Sequence, residues 1–146
     1  MYDLVMSLLE IIRMIESAEE FHRLRTSDVP EEYYRAAHEE APLSVWRDVM
    51  LRFPEMRFWV AQNKTVPVEI LELLVHDPDP RVRHMVAMKR KLPEHLQLRL
   101  AHDPDEGIRL AIACNAKATP EVLHILLADD WSEVRENAKT RLAGVE

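Results

Sequence analysis

Three Asp–Arg pairs are the residues of this chain best placed to do chemistry. Asp77 and Arg83, Asp103 and Arg109, and Asp129 and Arg135 each lie six residues apart, and successive pairs lie 26 apart. Arg57 holds the matching place one step earlier, with Leu51 where its Asp would stand. A guanidinium beside a carboxylate can hold an anion, and a row of carboxylates can serve acid–base chemistry. Repetition in register, however, is what a stack of repeats needs and what a single catalytic centre does not. The pairs are therefore expected to form a structural ladder, each Arg forking to the carboxylate and loop carbonyls of its own and neighbouring repeats.

Two further sets recur with the same spacing. Asn63-Lys64, Lys89-Arg90-Lys91 and Asn115-Ala116-Lys117 fall where successive helices end. Cations there can simply satisfy the helix dipole and its orphan carbonyls. Aligned along one edge of a stack, they can also meet an acidic partner. Trp59, His84, Met85 and Met88 sit off the regular apolar stripe, so they are expected on an inner groove, where an aromatic and methionines make an adaptable contact patch. The histidines offer less. His76 and His102 are equivalent in the repeat, and neighbouring repeats would hold them about 8–10 Å apart, too far for one metal. No metal or nucleotide motif is present, and Cys114 is expected to pack as a small buried thiol.

These residues must be positioned by helices. Two helix-start signals recur in each 26-residue stretch. First helices begin near Pro42, Pro67, Pro93 and Pro120, and second helices near Pro54, Pro80, Glu106 and Ser132. The second helices carry apolar positions in register: Met56, Val82, Ile108 and Val134, then Val60, Val86, Ile112 and Ala138. Ala61, Ala87 and Ala113 mark close helix approach. Apolar positions of the first helices include Trp46 and Val49, Leu71, Leu73 and Leu74, Leu96 and Leu98, and Leu126 and Leu127. Asp79 followed by Pro80 reads as an N-cap and first helical residue, and Ser17 with Glu20 as a capping box. Residues 3–15 read as an unusually apolar helix that either caps the stack or mediates self-association.

Composition narrows the classes. Gly occurs twice and Pro nine times, which disfavours a turn-rich β fold. One cysteine excludes a disulfide framework within the chain. No run reaches the roughly 18 apolar residues of a membrane span, and the first residues lack the basic region of a signal peptide, so a cytoplasmic protein is expected. The net charge of −7 argues against a general nucleic-acid binder. It is unevenly spread: residues 1–56 hold 6 Lys/Arg against 12 Asp/Glu, and residues 57–118 hold 10 against 8.

The stretch from Val66 to Ala87, with its Pro67, Asp77-Pro78-Asp79, Val82-Arg83 and Ala87 marks, resembles the leucine-rich repeat variant, a two-helix unit close to HEAT-like repeats. The resemblance implies an all-α, right-handed α-solenoid of period 26 used as a binding scaffold. Some members carry an iron–sulfur cluster on an N-terminal cysteine cluster; with Cys114 alone, no cofactor is expected here. Short proteins of this kind are similar to bacterial immunity-type proteins. The expectation is a single structural domain, with residues 1–40 an N-terminal helical cap and degenerate first repeat and residues 41–146 the repeats proper. Its function is expected to be non-enzymatic binding of a protein partner through Trp59, Asn63, Lys64, His84, Met85, Met88, Lys89, Arg90 and Lys117. The alternative is a nucleic-acid-binding protein, by analogy with HEAT-like DNA glycosylases.

Overall fold

Side-chain caps and prolines set where the helices begin. In a computed structural model that describes residues 13–145, Ser17 Oγ accepts from the Glu20 amide (3.0 Å) and starts α1 (Ala18–Thr26). Pro30 opens α2 (Pro30–His38), and Pro42 precedes α3 (Leu43–Arg52). A 3-10 turn at Pro54–Met56 leads into the short α4 (Arg57–Gln62), then α5 (Val68–Leu74). Asp79 caps α6 (Pro80–Ala87), whose first residue is proline. There follow α7 (Glu94–Leu100), α8 (Glu106–Cys114, capped by Asp105), α9 (Pro120–Leu126, capped by Thr119) and α10 (Ser132–Val145). Among the described residues there are ten α-helices and no strand, and none of the helices is long and apolar enough to cross a membrane. The apolar helix expected over residues 3–15 lies mostly outside the described residues. Residues 13–17 are not helical, although Ile15 is fully buried and its amide donates to Glu40 O (2.8 Å).

The chain divides into two compact units, Met1–Ile70 and Leu71–Glu146. In the first, α1 packs on α2 and α3, around Phe21, Leu24, Trp46, Val49 and Val60. Phe21 meets Trp46 edge to face at 5.2 Å between ring centroids, an arrangement favoured by the ring quadrupoles. Arg35 bridges Glu39 (2.6 Å) and Glu20 (3.0 Å), tying α2 to the start of α1.

In the second unit, α8 packs between α6 and α10, and α9 contacts α7, α8 and α10. Its core is the expected stripe: Val82, Val86, Ala87, Ile108, Ile112, Ala113, Val134 and Ala138 are all buried. The first-helix positions are less regular. Leu73 and Leu127 are exposed rather than inward: Leu73 stands in the last turn of α5 and Leu127 just past the end of α9, each next to a buried leucine, Leu74 and Leu126. Gln97, a polar residue, takes an inward place beside Leu96.

Candidate functional site

The ladder residues come together in the second unit. Arg83 donates from Nη1 to the carbonyl of Asp77 (2.7 Å), at the turn before its own helix. It then forks onto the Asp103 carboxylate through Nε (2.8 Å) and Nη2 (3.3 Å). Arg109 does the same, to Asp103 O (2.8 Å) and to both oxygens of Asp129 (2.7 and 3.3 Å). Arg135 donates to the carbonyls of Asp129 and Asp130. Arg83 and Arg109 thus each take a carbonyl from six residues back and a carboxylate from twenty residues ahead, while Arg135 keeps the carbonyl bond alone of the two. The turn aspartates are also alike. One carboxylate oxygen of Asp77, Asp103 and Asp129 accepts the amide two residues on, at 2.9 Å in each case. Arg57 donates to Met50 O (3.0 Å), and Leu51, in the place of an Asp, is exposed.

Arg83, Arg109 and Asp129 are held in their charged forms. The bond from Asp103 holds Arg83 more firmly protonated, and Asp129 does so for Arg109. Burial pushes the Asp129 carboxyl up, but the Arg109 fork, the Trp131 amide and the nearby guanidinium charges outweigh it and hold the group below its ordinary value. Every resolved shift among the carboxylates, at Glu19, Glu32, Asp79 and Asp129, favours the ion. Those four carboxylates are ion-pair partners rather than acids poised near neutrality. Among the described residues no cluster of three or more His, Cys, Asp or Glu could hold a metal ion. His76 and His102 line one shallow cleft with Arg83, Arg99 and Asp103.

A second set of polar links was not legible as such in the sequence. Asn115, buried at the end of α8, donates to the carbonyls of Ala87 and Lys89 where α6 ends (both 2.9 Å), and its oxygen accepts the Lys117 amide. Arg141 of α10 donates to the carbonyls of Cys114 and Asn115. Asn63 in the first unit is fully buried and does the same for α2, donating to Ala36 O (2.8 Å) and Glu39 O (3.0 Å). These side chains satisfy the orphan carbonyls of the preceding helix. Asn63 is thereby corrected: its amide faces inward, so it is not a contact residue. Gln97, also buried, joins Leu92 O and Lys117 O and accepts the Thr119 amide.

The other expected contact residues divide between the units. In the second, His84, Met88 and Arg90 line a cleft of about 440 Å³ on α6 and α8, with Leu110, Ala111 and Cys114. Met88 is 57% exposed. Met85 is half-buried, and Met85, Lys89 and Lys117 lie outside that lining, Lys117 with its side chain exposed. Cys114 is exposed, not buried: it faces outward at the end of α8, with Sγ 3.5 Å from Asn137 Oδ1. In the first unit, Lys64 is exposed, and its amide donates to Ala37 O (2.8 Å). Trp59 is half-buried under the Arg25 guanidinium, whose carbon lies 3.3 Å from the ring centroid.

No curated protein and no solved structure matches the chain. A family comparison does: residues 54–79 match the leucine rich repeat variant, a HEAT-like helical repeat.

Proposed function

We propose that the protein is a non-enzymatic protein-interaction module, and that its second unit presents the α6–α8 face to a protein partner. One observation carries this reading. Met88, an adaptable apolar side chain, stands largely exposed on a shallow cleft beside Arg90, while the helices beneath are pinned by part-buried Arg–Asp forks. An exposed methionine next to a cation, on a rigid support, suits a partner surface with an apolar knob and an acidic rim. Right-handed stacking of two-helix repeats of period 26 is the architecture that goes with this role, and the recurrence of the same fork at Arg83 and Arg109 supports the period. Blocking a partner's surface, as an immunity-type inhibitor would, is the form of the role that the family resemblance adds.

The test is a comparison of wild type with Met88→Glu/Arg90→Glu/Lys117→Glu as baits in native lysate. All three positions are exposed, so the thermal midpoint should not move. A protein captured by wild type and lost from the variant supports the reading. Equal capture by both, or no capture by either, counts against it.

A further inference from the structure

The first unit holds a cleft that the α6–α8 reading does not use. It is about 650 Å³, and Arg25, Tyr33, Tyr34, His38, Trp59 and Gln62 line it. Tyr34 is 61% exposed and stacks on His38, with ring centroids 3.8 Å apart and planes within 15°. The His38 ring is held in place by a 2.8 Å contact of Nδ1 with Tyr34 O. Aromatic rings therefore form much of the wall, with Tyr34 stacked on His38 and Trp59 under Arg25.

Arg25 is the odd member. Residues 1–56 carry twice as many acidic as basic side chains. In that setting four of the six arginines, Arg13, Arg23, Arg35 and Arg52, each pair with a carboxylate, and Arg47 stands exposed to solvent. Arg25 pairs with none among the described residues, and its Nε–H is buried with no acceptor. Instead the guanidinium carbon lies over the Trp59 ring, 3.3 Å from its centroid. No carboxylate lines the cleft. A cation left unpaired in an acidic region, over an aromatic floor, is electrostatically complementary to one incoming anionic group.

The geometry points to a docking site for an extended proline-rich peptide that carries a single carboxylate side chain. Proline rings pack on tyrosine and tryptophan faces, and a polyproline II segment leaves its backbone carbonyls free for donors along an aromatic groove. Trp59, Tyr33, Tyr34 and Gln62, which line the same cleft, carry an indole N–H, two hydroxyls and an amide as donors of that kind. Arg25 takes the carboxylate. A nucleic-acid strand fits less well, because its many phosphates would meet the acidic excess of residues 1–56. The site is built by the first unit alone, so it stands or falls separately from the α6–α8 face.

The probe is an end-blocked peptide of about seven residues, one glutamate between runs of proline, labelled for fluorescence anisotropy with the whole chain. Its glutamine counterpart and an oligothymidine of similar length are the comparison ligands. Saturable binding of the glutamate peptide is expected, with the glutamine peptide bound about tenfold more weakly. Arg25→Gln should abolish that preference, and Tyr34→Ala should weaken both peptides. No binding below about 1 mM, equal binding of the two peptides to wild type, or tighter binding of oligothymidine would each overturn the proposal. The comparison of the two peptides on wild type decides the matter even if Arg25→Gln fails to fold.

Discussion

The two units hold their helices together by different means. In the second, one device is used twice in register: Arg83 onto Asp103 and Arg109 onto Asp129, each with a carbonyl bond to the turn before its own helix. In the first, the polar links occur once each: Arg35 between Glu20 and Glu39, Arg25 on Trp59, Tyr34 on His38. Repetition marks architecture, since each copy does the same work for its own turn. The single features, by contrast, are where residues can be spent on something other than stacking. The amide link is common to both units, through Asn63 in one and Asn115 in the other.

The largest expected effect comes from breaking a fork. Asp103→Ala strands the part-buried Arg83 guanidinium and removes the acceptor of the Asp105 amide, and should cost about 3–5 kcal/mol by urea denaturation. Asn115→Ala comes next. It leaves the carbonyls of Ala87 and Lys89 and the Lys117 amide without their partner, for a loss of about 2–3 kcal/mol. Asn63→Ala should cost a similar amount, which would show that the link works alike in both units. Glu20→Ala should cost only about 1 kcal/mol, because Arg35 keeps Glu39. A loss as large as that of Asp103→Ala would erase the contrast drawn between the units.

Acid should reach the second unit through Asp129. Its folded pKa lies below the unfolded value, so its contribution is present above about pH 4 and is lost as pH falls through the folded value. Asp129→Asn should therefore flatten the decline of stability in that acid range while lowering stability at neutral pH. The smallest effect belongs to the exposed pair of Arg81 and Asp79: Arg81→Ala should leave the denaturation midpoint where it is.

Much of this frame could be read from residue types and spacing. Helix starts at Ser17, Asp79 and Pro80, and the buried places of Val82, Ile108 and Val134, follow from capping and a regular apolar stripe. The Asp–Arg ladder was legible too, though not that each carboxylate reached lies twenty residues ahead, because a linear spacing does not say which neighbouring turn a guanidinium reaches. Asn63 and Asn115 read as members of a basic row because lysines follow them. Their shared signal is position: Asn63, Lys89, Asn115 and Arg141 are spaced 26 apart, where a donor can reach the end of the preceding helix. The cleft of Arg25, Tyr34 and Trp59 left no such trace. It joins residues of α1, α2 and α4 whose types are not repeated 26 residues on, where Leu51, Val60 and Met85 stand for Arg25, Tyr34 and Trp59.

The most direct test is a double-mutant cycle on Arg109 and Asp129, with Arg109→Met, Asp129→Ala and the double variant followed by urea denaturation. If the fork is a structural link between successive turns, the single changes should be strongly non-additive, with a coupling of about 2 kcal/mol or more. Additive losses, with coupling within about 0.5 kcal/mol of zero, would contradict it.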